Sequence, residues 1–285
     1  MILDGKDVRL SYFVEGDGAP VTLLHGFTQN GRSWREVIAR LGAGFRWIVP
    51  DLRGHGETQT RPGAPCSMEA CAKDLVMLWD HVGVDRTHLV GYSMGGRLAL
   101  HVAARHPERI LSLLTIGAHA GLDESAREGR RRGDEALAER IEKDGLESFV
   151  DYWGSLPLFA GLERRGPSFV AQVRAQRLEN HVAGLACSLR GMGAGVMEPV
   201  WAELANLKVP CTFVAGQLDH GYVASARRLA ASVPAGRVEI VQRAGHSVHQ
   251  ERPDAFARVL AAHLAAASAT PDRSGAGPAS STTTD

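Results

Sequence analysis

The sequence predicts an α/β fold: a mainly parallel central sheet flanked by helices, with an inserted helical cap. Three observations predict it. Short apolar runs alternate with helix-patterned segments from residue 8 to residue 116, the rhythm of strand–helix–strand units. From about residue 121 to residue 199 the rhythm stops, and the chain reads as helical, polar and arginine-rich without a convincing strand. It resumes from residue 210 to residue 266. The expected organisation is a core of residues 1–120 and 200–267, a cap of residues 121–199 and a tail of residues 268–285.

Taken in order, residues 8–14 and 21–24 read as strands joined by the turn Gly16-Asp17-Gly18. Residues 46–49 form a short apolar strand leading into Asp51-Leu52-Arg53-Gly54-His55-Gly56. Residues 68–81 have helical periodicity, with Ala72, Leu75, Val76, Leu78 and Trp79 on one face. Residues 87–91 read as a strand, and residues 93–106 as a helix that stops before Pro107. Residues 110–116 are almost wholly apolar, as in a strand buried on both faces. In the cap, residues 124–143, 146–154 and 167–182 read as helices. Residues 210–215 form the next strand, a helix follows near residues 225–233, residues 238–241 form the last strand, and residues 253–266 the closing helix. The tail is Ser, Thr, Gly, Pro and Ala with little apolar bulk, a composition expected to stay disordered.

Formal net charge is zero, so no overall field favours nucleic acid or a membrane surface. Charges interrupt the apolar residues at positions 1–10, and no apolar run elsewhere is long enough to cross a bilayer. Cys66, Cys71, Cys187 and Cys211 contain no Cys-x-x-Cys pair, and reduced thiols in a cytoplasmic protein are expected. His25, His55, His81, His88, His101 and His106 are scattered without metal-ligand spacing, and no phosphate-binding loop occurs. The expectation is no metal and no cofactor, with a monomer or small homo-oligomer acting on a small molecule.

Gly91-Tyr92-Ser93-Met94-Gly95 fits Gly-x-Ser-x-Gly. The apolar strand before it and the helix-forming run after it supply the strand–turn–helix setting of a nucleophile elbow. A serine hydroxyl needs a neighbouring group to take its proton. His246 follows the last strand and Asp219 the strand before it, so the order Ser93, Asp219, His246 is that of a nucleophile, an orienting acid and a base. His249 is the competing base, expected to lie on the surface or behind the reacting groups, and Asp51 is the competing acid, in a loop expected to support the sheet edge. Leu24-His25-Gly26-Phe27-Thr28 follows an early strand. There the Phe27 N–H is expected to join the Met94 N–H in an oxyanion hole.

These segments resemble the α/β-hydrolase superfamily: His25-Gly26, Asp51-x-Arg53-Gly54-His55-Gly56, Gly91-x-Ser93-x-Gly95-Gly96, Gly216-x-x-Asp219 and Gly245-His246. The resemblance implies the fold and leaves the reaction open, since such folds host esterases, lyases and C–C hydrolases. The arginines narrow it. Arg97 lies one helical turn beyond Ser93, on the face of the elbow. Guanidinium groups bind carboxylates in bidentate fashion. Arg127, Arg130, Arg131, Arg132, Arg174 and Arg177 add further cations in the cap, although Glu124, Glu128, Asp134 and Glu135 mark much of the first cluster as a solvated helix face.

The cap segments Gly121-Leu122, Phe149-Val150-Asp151-Tyr152-Trp153, Leu156-Pro157-Leu158-Phe159, Gln176-Arg177 and Ser188-Leu189-Arg190-Gly191-Met192-Gly193 are similar to one branch. That branch is the 2-succinyl-6-hydroxy-2,4-cyclohexadiene-1-carboxylate synthases of menaquinone biosynthesis, lyases that eliminate pyruvate. The resemblance implies Arg97, Arg130 and Arg177 as carboxylate clamps and Trp153 and Tyr92 as pocket residues. Which of Arg127, Arg130, Arg131 and Arg132 faces the pocket stays open. Gly193-Ala194-Gly195 and Gln29-Asn30 depart from the branch's usual Gly-Thr-Gly and Gly. A serine hydrolase of esters or C–C bonds shares the whole triad and is the alternative; a slow-turnover receptor is the third reading.

Overall fold

The computed structural model describes residues 1–269, and its strands among them form one sheet. In chain order they are β1 (Ile2–Asp4), β2 (Val8–Glu15), β3 (Ala19–Leu24), β4 (Phe45–Pro50), β5 (Gln59–Thr60), β6 (Thr87–Tyr92), β7 (Ile110–Ile116), β8 (Cys211–Gly216) and β9 (Gly236–Val241). The spatial order is β1-β2-β4-β3-β6-β7-β8-β9, with β5 beside β2. From β4 to β9 every pairing is parallel, whereas β2 runs antiparallel to β4. The two strands expected at residues 8–14 and 21–24 form, but β4 lies between them, so their turn closes no hairpin.

The chain leaves β3 toward β4 on one side and returns to β6 on the other. Strand order therefore reverses between β3 and β6. At such a point the connecting segments diverge and open a crevice at the C-terminal strand ends. The predicted oxyanion loop leaves the end of β3, and Ser93 leaves the end of β6.

Helices cover both faces. They are α1 (Arg35–Leu41), α2 (Met68–His81), α3 (Met94–Arg105), α4 (Glu124–Gly154), α5 (Pro167–Arg177), α6 (Val182–Met192), α7 (Trp201–Leu204), α8 (His220–Ala231), α9 (Val248–Glu251) and α10 (Pro253–Ser268). Leu75, Leu78 and Trp79 of α2, Leu98 and Val102 of α3 and Leu229 of α8 bury one face. Val37 and Ile38 of α1 with Phe256, Leu260 and Leu264 of α10 bury the other. Both faces covered is why β6 and β8 are buried at all six positions.

Between β7 and β8 lie α4, a 3-10 segment, Pro157–Arg165, and α5, α6 and α7. The break expected between residues 143 and 146 is real: Gly145 has φ 79° and ψ 168°, which kinks α4. The helix expected at residues 167–182 ends at Arg177, and Val182–Met192 is a separate helix the periodicity did not isolate. The helix expected near residue 225 begins at His220, and the closing helix runs to Ser268, two residues beyond its expected end. The disordered tail expected for residues 268–285 lies, from Thr270 on, outside the described residues. Among the described residues no helix is long and apolar enough to cross a membrane.

Candidate active site

Ser93 sits at φ 51° and ψ −109°, between the end of β6 and the start of α3. A non-glycine residue rarely holds a positive φ, and sharp turns at nucleophiles store such strain. The glycines beside it permit the turn. A Cβ on Gly91 would lie 2.2 Å from the Gly95 carbonyl oxygen, and one on Gly95 would lie 2.4 Å from that of Leu24. The Ser93 N–H donates to the Ile116 carbonyl at 2.8 Å, fixing the elbow to β7.

The predicted triad is assembled. His246 Nε2 lies 3.0 Å from Ser93 Oγ, and His246 Nδ1 lies 2.7 Å from Asp219 Oδ2. A carboxylate only accepts, so Nδ1 carries the proton and Nε2 is free to accept from the serine hydroxyl. Asp219 follows β8, and its turn is stitched to the β9 loop by Gln217 N–H to Val241 O and Leu218 N–H to Ala244 O, both 2.9 Å. The Glu251 carboxylate accepts the N–H groups of Gly245, at 2.6 Å, and Ser247, at 3.0 Å, clamping the backbone on either side of His246.

The two competitors are accounted for. Asp51 accepts N–H groups from Gly31 and Glu57 and, among the described residues, bonds no histidine. His249 is buried, not on the surface, because its ring packs against Trp34, Tyr92 and Phe256. Arg53 forms a bidentate pair with Asp74, so its part of the early motif is structural.

Phe27 follows β3, and a Cβ on the preceding Gly26 would lie 3.5 Å from Ser93 Cβ. Neither the Phe27 nor the Met94 backbone N–H has an acceptor among the described residues. Two free donors beside a nucleophile, one of them in the first turn of α3, are what a developing oxyanion requires. The loop is held by His25, whose Nε2 accepts the Leu52 N–H at 2.9 Å and whose Nδ1–H donates to Gly26 O at 2.9 Å. Gln29 and Asn30, the departures from the expected pattern, tie the loop outward: Gln29 bonds Gln250, and Asn30 bonds Glu179 and Gln176.

A cavity of about 110 Å³ adjoins Ser93, and Arg97, Arg130, Trp153 and Tyr92 line it. Arg97 is 9% exposed, and its Nη1 donates to the Met192 carbonyl at 2.7 Å. No carboxylate forms an ion pair with it among the described residues; burial pushes it down to about 10, Arg130 adds repulsion, and Tyr222 and the Asp134 carboxylate, which also lines the cavity, offset part of it. Arg130 faces the cavity with its Nε 2.8 Å from Asp134 Oδ1. Arg127 turns to Glu124 and Glu198, and Arg131 and Arg132 turn to Glu128. Arg177 is buried, its Nε has no hydrogen-bonding partner among the described residues, and its guanidinium lies over the Phe159 ring at 4.5 Å. Phe159 lines the cavity and Arg177 does not. Burial pushes Arg177 down to about 10. Tyr92 shares a 2.8 Å hydrogen bond with Ser247 and packs its ring 5.3 Å from that of His246.

Three groups were not identified from the sequence: His119, Tyr222 and Glu251. His119 and Tyr222 line the cavity, and the Tyr222 ring lies 4.6 Å from the His246 ring. His119 stands three residues past the end of β7, a placement at the C-terminal strand edge that could have flagged it.

Comparison with known proteins identifies the family. The alpha/beta hydrolase fold family profile matches residues 19–253. A putative 2-succinyl-6-hydroxy-2,4-cyclohexadiene-1-carboxylate synthase from Bacillus subtilis is 36% identical over 261 residues, covering 90% of this chain and 95% of that protein. The synthase of that name from an Enterobacter species is 31% identical over 242 residues, covering 85% and 90%. Among solved structures, MenH from S. aureus superposes with TM-score 0.86 at 29% identity, covering 90% of this chain and 98% of that one. A thermophilic esterase from Thermogutta terrifontis, with malate bound, gives 0.80 at 29% identity, covering 91% and 94%.

Proposed function

The chain belongs to the alpha/beta hydrolase fold family, and on that premise we propose that it is a lyase of menaquinone biosynthesis. It eliminates pyruvate from 2-succinyl-5-enolpyruvyl-6-hydroxy-3-cyclohexene-1-carboxylate to give 2-succinyl-6-hydroxy-2,4-cyclohexadiene-1-carboxylate. The observation that carries this reading is Arg97. A guanidinium buried beside a nucleophile without a carboxylate partner is costly. Its retention makes sense if the substrate brings the anion. Arg130 opens on the same cavity, which suits a substrate with several carboxylates.

The mechanism is an elimination. Ser93, relieved of its proton by His246, removes a proton α to the succinyl carbonyl. Asp219 holds the imidazole in the required tautomer and stabilises the imidazolium. Negative charge moves onto the succinyl oxygen, where the Phe27 and Met94 N–H groups hold it. The enolate then collapses through the ring double bond, the bond between ring carbon and enolpyruvyl oxygen breaks, and enolpyruvate leaves and takes up the proton held by His246, so that pyruvate is released, the conjugated diene remains and the triad is reset. Arg97 and Arg130 hold carboxylates so that the breaking bond stays aligned. Arg177 reaches substrate only if Phe159 shifts, and we assign it the carboxylate farthest from Ser93. Trp153 and Tyr92 supply apolar walls. We place the enzyme in the cytoplasm, as a monomer or small homo-oligomer.

Hydrolysis of an ester or C–C bond would use the same triad, so the test must separate the two. Pyruvate release and diene absorbance are followed with wild type and Arg97→Ala. The synthase reading expects one diene per pyruvate, and a fall of about ten- to a hundredfold in kcat/KM on losing a charged hydrogen bond. Release at the spontaneous rate, together with ester turnover that ignores Arg97, would replace it with the hydrolase.

A further inference from the structure

We propose that His119 is an additional substrate-binding residue, a neutral imidazole whose Nε2–H donates to the carboxylate held by Arg97 and Arg130. The inference rests on the polycarboxylate reading above and adds a donor to it. His119 lines the cavity that holds Ser93, Arg97 and Arg130. Its Nδ1 accepts the Gly121 N–H at 3.1 Å. A neutral imidazole that accepts at Nδ1 carries its proton at Nε2. No acceptor for that Nε2–H occurs among the described residues. Burial, then the Arg97 and Arg130 charges, push the ring down to about 3, so it stays neutral at working pH.

The same facts deny His119 the role of base. Its only lone pair is committed to Gly121, and a proton there would set a third cation beside two. Tyr222 stands between it and the triad, its ring 6.4 Å from that of His119 and 4.6 Å from that of His246. A donor without charge is what two arginines leave room for. A carboxylate has about four lone-pair positions, and a neutral N–H fills one without adding to the repulsion between the guanidinium groups.

A purely structural His119 would only fasten the turn to Gly121. Two substitutions separate the roles. In His119→Asn the side-chain oxygen can still accept from the N–H two residues on, as in an Asx turn, but the side chain is too short to present a donor in the cavity. In His119→Gln the longer amide can donate there. Succinate binding is measured by calorimetry, alongside Tm and the kinetics of pyruvate release. The expected result is that Asn keeps the wild-type Tm while succinate affinity and kcat/KM fall about ten- to a hundredfold, and that Gln recovers part of both. Wild-type succinate affinity in His119→Asn would overturn the proposal. So would an affinity loss that appears only with a lowered Tm, which assigns His119 to the turn alone. Because wild-type pyruvate release tests the reaction and succinate binding tests the carboxylate site, failure of one is distinguishable from failure of the other.

Discussion

At Arg97 a guanidinium is buried with a carbonyl oxygen and the thioether of Met197 as its contacts. Its neighbour Arg130 is held by Asp134, whose other oxygen, Oδ2, is buried without a partner among the described residues. Asp134→Asn weakens that hold on Arg130. The expected outcome is a raised KM for the tricarboxylate with kcat changed less, read from steady-state pyruvate release. Asp219→Asn presents a donor where His246 Nδ1–H needs an acceptor, and kcat is expected to fall about ten-thousandfold. Ser93, Asp219 and His246 were legible in the sequence because each sits in a short strand-end segment with its own glycine. Arg97 was legible because one helical turn fixes its face relative to Ser93. His119 and Tyr222 were not. His119 had only its place just past β7 to mark it and Tyr222 had no local pattern, and they meet the site because β7 and β8 end at the same sheet edge.

Among the elements, the helices between β7 and β8 decide access. The 110 Å³ cavity is smaller than the ~300–1,000 Å³ typical of sites that enclose a small molecule, a size that predicts movement between cap and core when substrate enters. Asn180, just past α5, is one tie between them. Its Nδ2 donates to the Thr28 and Arg177 carbonyls, and its Oδ1 accepts the Gly56 N–H. Asn180→Ala leaves buried partners in two core loops unsatisfied, at a cost of about 1–3 kcal/mol. A lowered urea midpoint is expected, with a further drop in kcat/KM because Thr28 belongs to the oxyanion loop. The cap's helical character was readable from its polarity and arginines, but the boundary between α5 and α6 was not. Residues 178–181 contain no glycine or proline, and the α5 helix ends where Asn180 turns its amide into the core.

For the whole molecule, the alternation of strands and helices was enough to anticipate a parallel sheet, and the sheet's reversal between β3 and β6 then places the site. Pairing across the sheet was not readable, since nothing in residues 8–24 reveals that β4 lies between β2 and β3. Burial also has a global consequence. It pushes His25, His88 and His263 down to about 4, and His55 and His249 down to about 3. Unfolded histidine titrates near ~6.5, so between about pH 6.5 and 4 the unfolded chain binds more protons than the folded one. Stability is therefore fully present above that window and lost as pH falls through it, by up to about 1.4 kcal/mol per histidine per pH unit. Urea midpoints are expected to drop steeply between pH 6.5 and 4.5. His88→Gln is expected to flatten the slope by removing one titrating group.

The central claim is that Ser93 starts an elimination. Pyruvate release from 2-succinyl-5-enolpyruvyl-6-hydroxy-3-cyclohexene-1-carboxylate, compared between wild type and Ser93→Ala at matched folding, tests it most directly. Wild-type release well above the spontaneous rate, falling at least a thousandfold on loss of the hydroxyl, is the expected result. Undiminished release by Ser93→Ala, or none above background by wild type, would contradict it.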